Sequence, residues 1–280
     1  MKKLERFSLE RRIRMKLGFI GAGNMGGAIL RGYLASGKIQ SKDLFVCGRN
    51  IEKLDKLCSE LGVKACYNIA ELVDVCDVVM LGVKPNMFPD VMPQVAQNYT
   101  NEKILVSMAA GITIESIGNY VGKDAKIVRV MPNTPAMVNE AMTSVSRNTN
   151  VEDQQFASVF DIFKSIGKAE EVKEELIHCV IGVSGSSPAY TYMYIDALAE
   201  AAVKNGMNKE QAIVFAAQSV LGAAKMVLET GIDPVQLRIN VCSPGGTTIE
   251  AVNTLQEKGF AELVQSGFQA AVDKSKLMSK

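Results

Sequence analysis

The chain has 280 residues, nearly half of them apolar, and a formal net charge of +1. That is long enough for two domains with a sizeable core, and Lys and Arg spread along the chain past residue 16 give no basic face for nucleic acid. Six cysteines without a C-x-x-C pair, and a single histidine, exclude a His-based metal site and read as reduced core thiols of a cytoplasmic protein.

Residues 1–14, "MKKLERFSLERRIR", are basic but lack an apolar run, so no secretory signal is read there. They are expected to be a disordered or loosely helical extension ahead of Met15. "KLGFI" (16–20) predicts a strand, and a helix follows from about Met25 to Ser36. "DLFVCGR" (43–49) is a second strand, and "IEKLDKLCSELG" (51–62) a helix ended by Gly62. "DVVMLGV" (77–83), "KILVSMA" (103–109) and "KIVRVM" (126–131) are further buried strands, with "AMTSVSR" (141–147) another. Strands alternating with helices predict an α/β fold with a parallel, doubly wound sheet.

The pattern changes past residue 150. "VEDQQFASVFDIFKSIG" has the spacing of an amphipathic helix, and beyond Ile177 almost everything reads as helix. One helix is expected over 188–206, opened by Pro188 and stopped by Gly206; another over 208–231, capped by Asn208. Both are Ala-rich and apolar around most of their circumference, so they are expected to be buried in a large core or between subunits. The run from Cys179 to Ile195 is broken by Gly, Ser and Pro, so no membrane span is read. The expected domains are 15–170 and 171–280, after the extension 1–14.

Gly21, Gly23 and Gly26 form G-x-G-x-x-G between a strand and a helix. Gly21 permits the tight turn, Gly23 lets the backbone approach a pyrophosphate, and Gly26 lets the helix pack on the sheet. The phosphates would lie on the amides opening the helix at Ala22, Asn24 and Met25. A site for NAD usually has an acid at the end of the second strand. Here Arg49 stands there, beside Asn50. An arginine suits a 2′-phosphate, so NADPH is the expected cofactor and NADH the lesser alternative.

Five stretches then carry a resemblance: "GFIGAGNMG", "LGVKPN" (81–86), "SMAAGITIESI" (107–117), "VRVMPNTPAMVNEAMT" (128–143) and "SPGGTTIEAV" (243–252). The chain resembles the pyrroline-5-carboxylate reductase family, from about residue 15 to 270. The resemblance implies a Rossmann domain followed by an all-helical domain that dimerises, and reduction of 1-pyrroline-5-carboxylate to L-proline, the last step of proline synthesis. It implies cofactor contacts at Val83, Lys84, Pro85, Met108, Ala109 and Ala110. Asn68 falls at about the position of an asparagine near the adenosine, and Asn133 and Pro135 belong to a loop beside the nicotinamide.

"SPGGTTI" supports a substrate site on its own chemistry. Gly245 and Gly246 leave room for close approach, and the helix opening there offers amides of Gly246, Thr247 and Thr248 to a carboxylate. The Thr248 hydroxyl can reach the imine nitrogen and is the expected catalytic group; Ser184 is the other substrate candidate. Where the family has D-A-V-T-A-L-S-G-S-G-P-A-Y, this chain reads "HCVIGVSGSSPAY", with His178, Ile181 and Ser187 as departures; before "SPGG" it has Arg238-Ile239 where the family often has Arg/Lys-Asp. These lie away from the cofactor motifs and admit an alternative, a weakly active paralogue or an NADP-binding regulatory protein. His178 is read as structural rather than as a general acid, and Tyr190, Tyr192 and Tyr194 as core and interface packing. The expected partners are a small imino acid and a second copy of the chain, in a homodimer or an assembly of dimers, with no metal, nucleic acid or membrane.

Overall fold

A computed structural model of the chain describes residues 15–279; the expectation for residues 1–14 lies outside the described residues. The chain divides into two compact units. The first runs to Gly185 and takes in the chain again from Val272; the second is Ser186–Ala271. The expected boundary at 170/171 therefore falls inside the first unit. The reason is that "HCVIGVSG" stays packed with the sheet domain, as does the end of the last helix from Val272, which local pattern cannot show.

The first unit is built on one eight-stranded sheet: β1 (Leu17–Ile20), β2 (Leu44–Cys47), β3 (Lys64–Cys66), β4 (Val78–Leu81), β5 (Ile104–Ser107), β6 (Lys126–Met131), β7 (Ala141–Arg147) and β8 (Gly167–Glu171). Their order is β3-β2-β1-β4-β5-β6-β7-β8. β1 to β6 are parallel, and the order reverses at the β1/β4 junction. β1, β2, β4 and β5 are buried at every residue, as strands covered on both faces must be. Alternate residues feed two cores. Leu17, Phe19, Val78, Met80 and Val106 enter one, and Ile20, Val79, Leu81 and Leu105 the other.

β3 and β8 are strands that the sequence reading lacked, and β7 departs from the expected parallel pattern. β7 runs antiparallel to β6, and β8 is parallel to β7. The connection from Met131 to Ala141 holds only a turn of 3-10 helix, Thr134–Val138. That is too short for the helical crossover a parallel return needs. The β7–β8 link does contain a helix, Asp153–Lys164, closed at its start by a reciprocal Glu152–Gln155 capping box.

The second unit is helical: Ser187–Lys204, Lys209–Thr230, Pro234–Asn240, Thr247–Glu257, and the first part of Phe260–Met278. Asn208 caps the second helix by accepting from the N–H groups of Glu210 and Gln211, and Gly231 ends it in the left-handed conformation. In the single chain these helices are largely bare. Tyr192, Met193, Tyr194, Val214, Phe215, Leu221 and Leu228 are exposed, so Tyr192 and Tyr194 do not pack in a core of this chain, while Tyr190 is half-buried. Four of the six cysteines are buried as expected, but Cys179 is exposed and Cys242 half-buried. Burial pushes the thiols of Cys66 and Cys76 up, to about 11 and about 12, so both stay protonated and unreactive.

Candidate functional site

The glycine-rich turn stands at the carboxyl end of β1, at the point where strand order reverses. Open α/β sheets bind ligands at such a point. Gly21 has φ 89°, a conformation side chains rarely adopt. Its N–H donates to the Cys47 carbonyl at 2.8 Å, while the Gly82 N–H donates to the Ile20 carbonyl at 2.9 Å, so the turn is pinned between β2 and β4. A Cβ on Gly26 would stand 2.7 Å from the Gly21 carbonyl oxygen, whereas a Cβ on Gly23 would meet nothing within 4 Å. The first and third glycines thus serve the turn and the helix packing, and the second faces open space. Gly23 is also the N-cap of helix Asn24–Ala35, with no side-chain cap and no acid in the first turn. The opening amides are left available to an anion.

Beside the turn lies an open cleft of about 590 Å³, lined by Gly21, Ala22, Gly23, Val46, Gly48, Arg49, Asn50, Lys53, Leu54 and Leu57. It joins five of the expected cofactor residues: Gly21, Ala22, Gly23, Arg49 and Asn50. None of its described lining residues is acidic. Asn50 caps helix Ile51–Leu61 by accepting from the Lys53 N–H at 2.9 Å. Lys53, which sequence reading missed, brings a second cation to the wall that carries Arg49. The signal was present as spacing, since Arg49 and Lys53 are four apart at a helix start.

The other expected cofactor residues follow the carboxyl ends of neighbouring strands. Asn68 comes after β3, Val83, Lys84 and Pro85 after β4, Met108–Ala110 after β5, and Asn133 after β6. Two of the asparagines are already engaged. Asn68 caps helix Ile69–Val75 through the Glu71 N–H at 2.7 Å. Buried Asn133 accepts from the Met142 N–H at 2.9 Å and donates to the Ser184 carbonyl at 3.0 Å. Its side chain holds the loop, so any contact from this position to a cofactor would fall to the backbone. The Ser184 hydroxyl donates to the Val180 carbonyl, within a turn of π-helix over residues 181–185. Such turns recur at functional sites.

Gly245, Gly246, Thr247 and Thr248 belong to the second unit and Ser184 to the first. Gly245 has φ 71°, and Gly246 is the N-cap of helix Thr247–Glu257 with no side-chain cap bond. The Gly246 N–H is not free, because it donates to the Ser243 carbonyl at 3.0 Å. The opening donors are then those of Thr247, Thr248 and Ile249, and both threonine side chains are exposed. No group of His, Cys, Asp and Glu among the described residues could hold a metal ion.

A glycine-rich turn at the switch point, with bare helix amides beyond it, defines a dinucleotide-binding domain. Residues 16–111 match the family described as "NADP oxidoreductase coenzyme F420-dependent", and residues 174–278 the one described as "Pyrroline-5-carboxylate reductase dimerisation". The pyrroline-5-carboxylate reductase of Escherichia coli (strain K12) is 46% identical over 265 residues, which are 95% of this chain and 98% of that protein. A solved pyrroline-5-carboxylate reductase from Coxiella burnetii is 36% identical with a TM-score of 0.89, covering 95% of this chain and 99% of that one. The Plasmodium falciparum pyrroline carboxylate reductase, solved with NADP bound, is 33% identical with a TM-score of 0.86 over 95% of this chain and 98% of that one. The chain belongs to the pyrroline-5-carboxylate reductase family, a family of oxidoreductases.

Among the described residues one helix, Lys209–Thr230, is long and apolar enough to cross a membrane by length and composition. It lies within the segment that matches the dimerisation domain.

Proposed function

We propose that this chain reduces 1-pyrroline-5-carboxylate to L-proline with NADPH, in the cytoplasm and as a homodimer. The observation that carries the reading is the similarity to reductases of that name along almost the whole of both chains. When bound, the nicotinamide would supply the hydride to the imine carbon, the ring carbon double-bonded to nitrogen. The chain's own part is placement. The Gly21–Gly26 turn offers the pyrophosphate a close approach at Gly23 and the helix amides beyond it. Arg49 and Lys53 present two cations to a 2′-phosphate, which favours NADPH over NADH. The opening amides of Thr247 and Thr248 are suited to the substrate carboxylate, and the Thr248 hydroxyl to the imine nitrogen. Ser184 is kept as a second substrate contact. The apolar helices of residues 186–271 offer the face for a second copy, and the unpaired cysteines fit a reducing compartment.

The test is NADPH oxidation in the presence of pyrroline-5-carboxylate, with proline measured as product. Tight NADPH binding without turnover would overturn the reading and favour the regulatory alternative. For cofactor choice, Arg49→Ala should weaken NADPH binding by roughly tenfold or more, the worth of a charge-assisted contact. Lys53→Ala should do the same to a smaller degree, and NADH should respond little to either. Equal losses for both cofactors would remove the 2′-phosphate from this wall.

A further inference from the structure

The chain's one histidine lies away from the cleft, and the contacts around it close into a ring within the first unit. His178 Nδ1 and Ser275 Oγ share a hydrogen bond of 2.8 Å, and Ser275 is buried. Helix Phe260–Met278 then ends against Gly111. Gly111 has φ 78°, and a Cβ there would stand 2.6 Å from the Met278 carbonyl oxygen. Gly111 continues directly from Met108, Ala109 and Ala110.

The other half of the ring passes through Glu174. The Ile114 N–H donates to Glu174 Oε1 at 2.8 Å, and Arg129 Nη1 donates to the same oxygen at 2.9 Å. Arg129 is 2% exposed and fixed in the middle of β6. From Glu174 a single turn leads into Ile177–Val180, which carries His178. The loop after β5 is thus bonded to Glu174 through the Ile114 N–H and lies closely against the Met278 carbonyl at Gly111, and the Glu174 and Met278 segments are joined by His178 and Ser275. Ala109 is anchored within the loop, its methyl in the second core and its N–H donating to Ser107 Oγ at 3.3 Å, so the contacts at Gly111 and Ile114 act on the half of the loop that follows it.

We propose that His178 and Ser275 are positioning residues for the cofactor: by tying the chain's last turn to the Glu174 segment they hold the Met108–Gly111 loop in its binding conformation. This rests on the reading of Met108–Ala110 as cofactor contacts. Neither residue takes part in hydride transfer. The pair acts on NADPH affinity and leaves the reacting atoms alone.

The experiment is NADPH titration and steady-state kinetics on the full chain, with His178→Ala, Ser275→Ala, the double variant and His178→Asn. Each alanine variant should raise Kd and KM for NADPH by roughly two- to tenfold, the net worth of one hydrogen bond. The kcat at saturating NADPH and KM for pyrroline-5-carboxylate should hold. The double variant should be no worse than the poorer single, because one interaction is lost in all three. His178→Asn, whose amide takes the place of Nδ1, should return to within about twofold of the parent, on the same hydrogen-bond scale. A lowered Tm with unchanged Kd would reduce the pair to a structural brace and overturn the proposal, as would a fall in kcat with Kd unchanged. Should the parent itself not bind NADPH, the cofactor reading fails separately. Hydrogen exchange over residues 108–113 then judges the ring alone: Ser275→Ala should speed it, and unchanged exchange overturns the proposal.

Discussion

The Asn133 amide joins two loops that local sequence would treat as independent: Nδ2 donates to the Ser184 carbonyl at 3.0 Å. Its Oδ1 accepts from the Met142 N–H at 2.9 Å, so both ends of a buried side chain are spent on backbone. The turn at residues 132–140 and the π-turn carrying Ser184 are therefore held as one piece. Asn133→Ala would leave a half-buried N–H and a half-buried carbonyl without their partners, a loss of about 2 kcal/mol for the two bonds. Thermal unfolding should fall by roughly 4–8 °C. Asn133→Asp keeps the acceptor for Met142 but sets an anion against the Ser184 carbonyl, so it should be no better than Ala. An unchanged Tm for both would show that the bridge carries no load.

The glycines of the turn separate folding from binding. At Gly82 an added Cβ would run into the Gly21 carbonyl, and at Gly23 it would meet nothing. Gly82→Ala should therefore disturb the turn and lower both Tm and NADPH affinity. Gly23→Ala should keep the parent Tm to within about 2 °C, the scale of a surface substitution, yet weaken NADPH binding, because its methyl projects into the open side of the turn. Comparing Kd and Tm across the two variants checks this. Parent-like NADPH binding by Gly23→Ala would place the pyrophosphate elsewhere.

Thr248 is free of the structural duty a threonine at a helix start often has. Gly246 is the N-cap of its helix, and no side chain caps it. Thr248→Val should leave stability nearly unchanged while lowering kcat/KM by roughly tenfold, the loss of one hydrogen bond to a charged group. Thr247→Ala should stay within a few-fold, since the proposed carboxylate contact uses only its amide. NADPH should bind both variants as it binds the parent. Parent-like turnover by Thr248→Val would move the imine away from this helix.

His178 gives a pH signature that no other side chain shares, because it is the only histidine. Burial lowers its pKa, and the charges of Arg129 and Lys276 lower it further, with Glu174 opposing. Below the ordinary value of about 6.5 the unfolded chain takes up a proton that the folded chain refuses. Stability should therefore be full above about pH 6.5 and fall as pH drops toward the depressed folded value. Melting curves between about pH 7.5 and 5.5 should show this loss, and His178→Asn should flatten it. An identical slope in the variant would assign the effect to other groups.

Much of this protein was legible as sequence because the signals are local. Gly21, Gly23 and Gly26 announce their turn by spacing, and β6 and β7 fall on the residues expected of them. The long helices stop where Gly206 and Gly231 stand, both with positive φ. β3 was missed because three residues, one of them buried, make no pattern. β8 was missed because "GKAEE" is mostly exposed and reads as a loop. The reversal of β7 could have been argued from the short link before it.

What the sequence by itself determined is the class of most segments and the glycine-rich turn of a dinucleotide-binding fold, since these rest on φ preferences, capping and alternation within a few residues. Only the tertiary structure decided that Asn133 is spent on Ser184 and Met142, that Lys53 joins Arg49 in one cleft, and that the last helical turn returns to the first unit. His178 and Ser275 are 97 positions apart, and no periodicity encodes a contact at that range. Such pairs are set by where whole elements pack. That packing is driven by burial of apolar area, which is non-directional and leaves the choice of polar partners to geometry.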